Sequence, residues 1–363
     1  MVLGLAIAIS VQLFVGILIS SLQVGLVDAV TGTSPHITVE SADDMGISDW
    51  SAKASQIENN IDSVTGITVS GFSYTLISYG GTNISTGVRG LDLATADAMY
   101  GIGDSLVNGT MPASNGDVLV GSVLNDELNI PLNAILQVTN WDQTTTNLTV
   151  TGIYEFGAAV ADNQIIVNLE TCQAIFNMGG SVDAIEIQVG EVFTADTVAL
   201  DVSTVLNDDS LEISNWKETS KDLLDALQSQ SLSSYMIQGF VLISVVIAIA
   251  SVLAITVLQK SRQIGILKAM GIKDRTASLI FLYQGLLLGI MGAIGGVLIG
   301  LFLLYGFIFG TTSSGQESVI TLIIDFKFIA LSGAIAVVSA MVASVLPARR
   351  SSKLSPAEVI RNG

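Results

Sequence analysis

Few residues of this 363-residue chain have side chains suited to covalent or acid–base chemistry. There is one histidine, His36, and one cysteine, Cys172. His36 follows a proline and is interpreted as a linker residue, and Cys172 lies in an apolar helical stretch, which is typical of a buried thiol. The nucleotide-binding pattern G-x-x-x-x-G-K-[ST] is absent, because no lysine follows a glycine. We therefore predict no catalytic residue, no metal site and no cofactor bound by this chain.

The basic segment KSRQIGILKAMGIKDR (260–275) is the strongest candidate for a binding function. It holds five of the chain's 14 cations between two apolar stretches. A helix over 261–270 would place Ile264, Leu267 and Met270 on one side, and Gly271 suits a left-handed C-cap. Positive charge alone does not require this apolar pattern, whereas docking into a groove of a cytoplasmic partner does. The predicted docking residues are Ile264, Gly265, Ile266, Leu267, Lys268, Met270 and Gly271.

Long charge-free segments must position this loop. Charged residues make up 13% of the chain, against about 25% in typical soluble domains. Four segments have the ~20 apolar residues that cross a bilayer. This pattern excludes an ordinary soluble protein, a disordered chain and a basic nucleic-acid-binding protein. We predict membrane-spanning helices at 1–27, 236–258, 277–309 and 328–346.

The first apolar segment has two interpretations, a retained helix or a cleaved signal peptide. It lacks a basic n-region and an evident small-residue cleavage site, and it is longer than a typical h-region. We therefore expect a retained helix. Because no cation precedes it to anchor the cytoplasmic side, we also expect the true start to lie upstream.

The distribution of charge predicts the topology. The loop 259–276 and the basic tail 347–363 hold nine of the 14 cations, whereas 28–225 holds 28 acidic residues and four cations. Short loops rich in Lys and Arg stay cytoplasmic. We therefore expect a multi-pass plasma-membrane protein with a cytoplasmic C-terminus, an acidic extracytoplasmic segment and a short external loop at 310–327. The acidity suits a solvated surface, and attraction of cations or basic substrates is the alternative.

Alternating strand and helix patterns predict an α+β domain over 28–216, between the first and second spans. We expect strands over 64–79 with a break near Gly71, and a helix over 93–100. A stalk helix over 217–235 would lead directly into the second span. Such a helix could transmit motion as a rigid rod, or it could simply pack against the domain.

Glycines recur in the third span at steps of four, three, four and four, which places them on one helix face. Small residues allow close approach of helices in a membrane. We interpret this face as packing within the chain, with a contact to a second subunit as the alternative. The residues are Gly285, Gly289, Gly292, Gly296 and Gly300. The spans have no ionisable residue at their centres, which argues against an ion-coupled carrier or a polar channel.

Several segments carry a family resemblance. In the membrane part they are IGILKAMG (264–271), IFLYQGLLLGIMGAIGG (280–296) and LPARRSSKLSPAEVIR (346–361). Together these resemble the FtsX-like ABC transporter permeases. In the outer domain, the segments VRGLD (88–92) and GIYEFGAAVADNQIIVNLETCQAIF (152–176) are similar to the lipoprotein-releasing LolC/LolE branch and its MacB relatives. The resemblance covers nearly the whole chain.

The resemblance implies an α-helical membrane protein with four spans and a domain of the MacB periplasmic core type between the first two. It implies that the chain is not itself an enzyme but works with a cytoplasmic ABC ATPase that binds ATP and Mg²⁺. A second permease, identical or paralogous, and membrane lipid would be the other partners, with no nucleic acid. The docking loop would couple ATP hydrolysis to export or extraction of a lipoprotein, lipid, peptide or hydrophobic compound at the outer face. The cytoplasmic tail would include Pro347, Arg349, Arg350 and Pro356.

Two positions depart from the family pattern. Gln263 stands where an acidic residue commonly precedes I-G-I-L, and Ser355 stands where Asp often precedes Pro356. A charged contact to the ATPase is therefore expected to be missing or made differently. The basic leader of the family is also absent. The alternative function is an ATPase-driven transmembrane regulator that signals to an external protein without transport. A sensory receptor would need a larger cytoplasmic output domain than a tail of about 17 residues.

Overall fold

The computed structural model describes residues 2–43, 45–313, 324 and 326–352. Contacts divide the chain into two units. One joins Met1–Leu26 to Asp225–Gly363 and is called the helical unit below. The other is Val27–Leu224, called the sheet unit.

Helices and strands alternate in the sheet unit, whereas the described part of the helical unit is helical almost throughout. The helices are α1 (Val2–Thr31), α2 (Trp50–Asn60), α3 (Leu93–Tyr100), α4 (Ser122–Leu128), α5 (Leu169–Phe176), α6 (Ala195–Leu206), α7 (Trp216–Thr219), α8 (Lys221–Gln259), α9 (Ser261–Ala269), α10 (Asp274–Ser313) and α11 (Phe326–Ser352). The strands are β1 (Ile37–Ser41), β2 (Val64–Tyr79), β3 (Thr82–Leu91), β4 (Leu106–Gly109), β5 (Asp117–Gly121), β6 (Ile135–Thr139), β7 (Thr145–Tyr154), β8 (Gln164–Asn168), β9 (Ala184–Val189) and β10 (Leu211–Asn215).

Four helices of the described chain, α1, α8, α10 and α11, are long and apolar enough to cross a membrane. A helix suits a bilayer because it pairs its backbone N–H and C=O groups internally. Each of these helices extends beyond the apolar segment that marks it in the sequence, because the backbone hydrogen bonds continue through polar residues. α8 is a single helix of 39 residues. It therefore includes most of the predicted stalk as well as the predicted second span.

The ends of the predicted stalk and tail differ from the structure. The stalk was predicted to begin at Lys217, but Ser220 (φ −103°, ψ 28°) separates the short helix α7 from α8. The tail was predicted to follow 346, but α11 continues through Pro347 to Ser352. Proline removes one backbone donor, yet its fixed φ is compatible with a helix. Most of the predicted external loop 310–327 and residues 353–363, including Pro356, lie outside the described residues.

The sheet unit contains one ten-stranded mixed sheet in the order β10-β1-β9-β2-β3-β8-β5-β7-β4, with β6 paired to β2 and β7. The pairs β3–β8 and β5–β7 are parallel. The long strand β2 is continuous, so the predicted break near Gly71 is wrong. A Cβ at Gly71 would lie 3.2 Å from the Cys172 Sγ and 3.1 Å from Met178. Glycine is used there because another element approaches closely, not because the strand turns.

Buried side chains cover both faces of this sheet. One cluster includes Val88, Ile165 and Cys172 and packs with α4 and α5. The other includes Tyr100 of α3 and Ile166. Neighbouring residues such as Ile165 and Ile166 fall in different clusters because successive side chains of a strand point to opposite faces. The observed α+β content agrees with the predicted class of this domain.

His36 lies in the linker between α1 and β1, as interpreted, but it is more than a connecting residue. Its side chain is buried, and its Nδ1 accepts a hydrogen bond from the Val189 amide at 3.1 Å. Its own amide donates to the Ile187 carbonyl at 3.0 Å. Burial lowers the pKa of His36, which keeps Nδ1 available as an acceptor. The histidine is thus a structural residue where the chain enters the sheet.

Cys172 is fully buried in α5, as its apolar neighbours predict. A Cβ at Gly90 would lie 2.1 Å from the Cys172 Cβ, so strand β3 and helix α5 are in direct contact there. Burial raises the pKa of the Cys172 thiol to about 12. Reactivity follows the thiolate, and this thiol therefore serves packing.

Candidate docking site

Helix α9 is a separate short element between two long helices. α8 ends at Gln259, and Lys260 leaves helical geometry at φ −99° and ψ 8° before α9 begins. The Ile264 amide donates to the Lys260 carbonyl at 3.0 Å and closes the first turn. The predicted docking segment is therefore mostly helical, from Ser261 to Ala269.

Gly271 terminates α9 in the left-handed conformation that the sequence predicts. Its φ is +98°. The Gly271 amide donates to the Lys268 carbonyl at 2.9 Å, and the Ile272 amide donates to the Leu267 carbonyl at 3.2 Å. These two bonds form a Schellman motif, which satisfies carbonyls at the helix end. The motif gives α9 a defined end, and α10 begins three residues later.

Ile264 attaches α9 to the rest of the helical unit. Its side chain is buried in a cluster with Val257 of α8, Phe281 of α10 and Ala348 of α11. The Ser278 hydroxyl donates to the Ala348 carbonyl at 3.1 Å beside this cluster. One side chain of α9 thus shares a buried cluster with residues of three long apolar helices.

The side of α9 next to Ile264 presents apolar side chains to the surroundings. Ile266, Leu267 and Met270 are 47%, 39% and 78% exposed. At about 100° per residue they fall within an arc of about 100°. The sequence grouped Ile264 with Leu267 and Met270, but Ile264 turns inward and Ile266 takes its place on the exposed face. The exposed apolar face is narrower than predicted and is called the docking face below.

Basic and polar residues border the docking face. Arg262 and Gln263 on α9 are exposed, as are Lys273 and Arg275 just beyond Gly271. Gly265 and Lys268 lie in the body of the helix. An apolar face with a cationic border can fill an apolar groove whose rim carries acidic residues.

The predicted glycine face of α10 is divided between two neighbouring helices. Gly285 and Gly289 lie against α11, where added Cβ atoms would be 2.6 Å from the Ser344 Cβ and 2.9 Å from the Ala340 Cβ. Both contacts are far shorter than the ~3.5–4.0 Å of ordinary carbon–carbon contact. The glycines therefore allow the two backbones to approach closely.

The remaining three glycines lie against α1. Added Cβ atoms on Gly292 and Gly296 would be 2.3 Å from the Leu5 Cδ2 and 2.6 Å from the Ile9 Cβ. For Gly300 the nearest atom would be the Leu13 Cδ2 at 3.2 Å. All five glycines thus contact helices of the same chain, which favours the interpretation as internal packing over a contact with a second subunit.

The predicted tail residues are only partly described. Pro347 is buried within α11, one residue before the Ala348 that contacts Ile264. Arg349 is exposed, and Arg350 lies in the same helix. The start of the tail is therefore part of the element that supports α9. Pro356 lies outside the described residues.

A buried charge cluster in the sheet unit was missed by the sequence analysis. The Arg89 guanidinium lies 2.7 Å from the Glu186 Oε2, which also accepts the Tyr100 hydroxyl at 2.6 Å. The guanidinium lies 4.9 Å from the centre of the Tyr100 ring. Burial raises the pKa of Tyr100 well above its usual value. Arg89 is one of four cations in a segment with 28 acidic residues, and that rarity is the signal that could have identified it.

The described residues contain no group of three or more His, Cys, Asp or Glu side chains placed to hold a metal ion. Helix α9 itself offers exposed apolar side chains, cationic charges beside them and a helix end fixed by Gly271.

Two family models match the chain. The model described as FtsX-like permease C-terminal matches residues 235–356, which include α9, α10 and α11. The model described as MacB-like periplasmic core domain matches residues 1–205. Together the two matches include both units of the structure.

Curated relatives agree with these models. The chain is 25% identical over 227 residues to the lipoprotein-releasing system transmembrane protein LolC of Xylella fastidiosa, covering 59% of this chain and 54% of the relative. It is 24% identical over 214 residues to the macrolide export ATP-binding/permease protein MacB of Bdellovibrio bacteriovorus, covering 55% of this chain and 31% of the relative. The chain thus spans about half, or less, of the length of these relatives. The crystal structure of the periplasmic region of MacB from Actinobacillus actinomycetemcomitans covers 54% of the chain at 12% identity with a TM-score of 0.37, and the chain covers 95% of that structure.

Proposed function

The chain is a member of the FtsX-like ABC-transporter permeases and carries a MacB-like periplasmic core domain, and we propose that a separate cytoplasmic ATPase drives it through α9. In this proposal, closure of the ATPase on ATP and Mg²⁺ moves α9, and α9 moves the apolar helices. The work performed is export or extraction of an amphiphilic substrate at the outer membrane face. The substrate is a lipoprotein, a lipid, a peptide or a hydrophobic compound.

One observation carries the proposal: α9 combines an exposed docking face with an inward anchor. Ile266, Leu267 and Met270 are available to a partner, whereas Ile264 is buried against α8, α10 and α11. A loop that only connected two spans would need neither feature. A helix that receives a push on one side and passes it to three helices on the other needs both.

The proposed topology follows from charge. The loop that contains α9 and the segment 347–363, which begins within α11, are rich in Lys and Arg, and such short segments stay on the cytoplasmic side. The four apolar helices then cross the plasma membrane, with the sheet unit outside between the first two and the C-terminus inside. This places the docking face where an ATPase could reach it.

A second permease and membrane lipid are the proposed neighbours of the helical unit. In the most apolar stretch of α8 only 11% of the residues are buried, against 33% in the corresponding stretches of α1 and α11. Exposed side chains on α8 include Phe240, Ile243 and Ile247. Since the glycine face of α10 is filled by helices of the same chain, α8 is the better candidate for the contact with an identical or paralogous permease.

Co-purification tests the proposal. The tagged full chain is extracted in mild detergent and its partners are identified by mass spectrometry. We expect a P-loop ATPase with the unmodified chain and its loss with Leu267→Asp, because the new carboxylate must be desolvated in an apolar groove. The matched control is Leu200→Asp, which places the same charge on an exposed leucine of α6. Absence of any ATPase after cross-linking, or equal recovery with Leu267→Asp, would overturn the proposal.

A further inference from the structure

The sheet unit has a cleft that the docking role of α9 does not use. Helices α2 and α6 pack on one side of strands β1 and β2, where Val39 is fully buried. The alternation of strand side chains turns Glu40 and its cross-strand neighbour Ala184 to the other side. That side forms the floor of a cleft of about 510 Å³. Its walls come from the last turn of α1 with the segment that follows it, and from the loop before β8.

The charges that line this cleft are unbalanced. Two carboxylates, those of Asp183 and Glu186, line it together with one cation, Arg89, and Glu40, which also lines it, has a partner of its own. The Arg89 charge is already matched by Glu186 at 2.7 Å. The Asp183 carboxylate accepts the Phe72 amide at 2.7 Å and forms no ion pair with a described lysine or arginine. The cleft therefore has an excess of negative charge and is unfavourable for an anion.

An apolar wall lies next to the Asp183 carboxylate. The Phe72 ring is 38% exposed in the cleft and is held by an edge-to-face contact with Tyr74, with ring centres 5.1 Å apart. Val160, 79% exposed, lines the same cleft. A cation is attracted by the face of an aromatic ring as well as by a carboxylate. The cleft thus offers charge attraction and apolar contact side by side.

We propose that this cleft binds an organic cation, an amine or quaternary ammonium group carried on an apolar body. The cationic group lies between the Asp183 carboxylate and the Phe72 ring, and the apolar body lies toward Val160. Arg89 stays paired with Glu186 and forms a neutral part of the floor. This binding requires neither ATP nor α9, so it stands or falls separately from the proposed transport role.

Calorimetry on the full chain in nanodiscs of zwitterionic lipid tests the proposal. The probe is benzyltrimethylammonium, and the matched anion is phenylmethanesulfonate, which has the same ring. We expect saturable binding of the cation and no binding of the anion, after subtraction of the signal of empty nanodiscs. Comparable binding of the two probes, or no saturable binding of the cation, would overturn the proposal.

Three variants locate the site. Asp183→Asn keeps an acceptor for the Phe72 amide but removes the charge, and it should weaken cation binding about five- to tenfold at this half-buried position. Phe72→Leu should weaken it about two- to fivefold through loss of the ring. Asp201→Asn, which makes the same charge change on an exposed position of α6, should leave it unchanged. Equal losses for Asp183→Asn and Asp201→Asn would mean diffuse attraction to an acidic surface and would refute the site.

The Phe72→Leu variant keeps the test decisive if Asp183→Asn misfolds. Thermal unfolding of each variant is measured beside its affinity. If Asp183→Asn lowers the unfolding temperature, Phe72→Leu alone decides. Unchanged cation affinity in a folded Phe72→Leu protein would contradict the assigned site.

Discussion

Substituting Gly296 by alanine should separate α1 from α10. The added Cβ would lie 2.6 Å from the Ile9 Cβ and 3.0 Å from the Ala6 carbonyl oxygen. Neither neighbour can rotate away, since one is backbone and the other is the branch point of a β-branched side chain with little χ1 freedom. Ordinary carbon–carbon contact begins near ~3.5 Å, so the two helices must move apart by roughly 1 Å.

The loss of stability caused by that separation follows from the contacts between α1 and α10 that it weakens. Leu5, Ile9 and Leu13 are all buried on α1 and face the glycines of α10. A gap of ~0.5–1 Å forfeits a quarter to a half of the dispersion energy at each contact. Overpacking of this kind costs about 1–3 kcal/mol in folded proteins. We expect Gly296→Ala to lower the free energy of unfolding by that amount.

Gly306→Ala is the matched control in the same helix. A Cβ at Gly306 would have no atom within 4 Å. Alanine is favoured over glycine in a helix by up to ~1 kcal/mol, so this variant should be neutral or stabilised. The free energy of unfolding of both variants is measured in mixed micelles with an increasing fraction of denaturing detergent. Equal stability of Gly296→Ala and Gly306→Ala would refute the internal packing of the glycine face.

Three further predictions concern single residues. Gly271→Ala forces an L-residue into the left-handed region at a cost of about 1–2 kcal/mol. Recovery of the ATPase in the co-purification should therefore fall several-fold, and unchanged recovery would contradict the role of the helix end. Burial places the pKa of His36 below its unfolded value of 6.5, so the unfolded chain binds more protons and stability falls as pH drops below about 6.5, by at most ~1.4 kcal/mol per pH unit. Thermal unfolding between about pH 5.5 and 7.5 should show this slope and His36→Asn should flatten it, while an unchanged slope would assign the effect to other groups. Glu186→Gln leaves the buried Arg89 charge without its carboxylate and should lower the free energy of chemical unfolding by ~2–3 kcal/mol. This is less than the ~3–5 kcal/mol for a removed partner, because Gln still accepts a hydrogen bond. Adding Arg89→Met to the same chain should recover part of the loss, and purely additive effects of the two changes would argue against the pair.

Local signals in the sequence were sufficient for several elements. Helix α3 occupies the predicted 93–100, because Asp92 caps it through the Ala94 amide and Gly101 ends it. The turn of Gly271 followed from a glycine after an apolar helical pattern. The apolar helices followed from length and absence of charge. In each case the residues that determine the element lie within the element itself or directly beside it in the sequence.

Features that depend on distant partners could not be predicted. The sequence predicts a break at Gly71 because glycine weakens a strand, but the glycine is needed there because α5, about 100 residues later, packs against it. Arg89 and Glu186 are 97 residues apart, and only the pairing of β2 with both β3 and β9 brings them together. The glycine face of α10 was visible as a pattern, yet its division between α11 and α1 was not. The sequence lists both Ile264 and Ile266 as docking residues, but Ile264 is buried, because helical periodicity defines an angle but not which side faces the neighbouring helices.

The central claim is that α9 is the surface that the ATPase contacts. Site-specific cross-linking in native membranes tests it most directly, since Cys172 is buried and leaves little thiol background. A cysteine placed by Met270→Cys, at a position 78% exposed, is labelled with a maleimide–benzophenone reagent and irradiated. The account predicts a covalent adduct with a P-loop ATPase from Met270→Cys and none from Leu200→Cys on α6. An adduct with the ATPase from Leu200→Cys, or none from Met270→Cys, would contradict it.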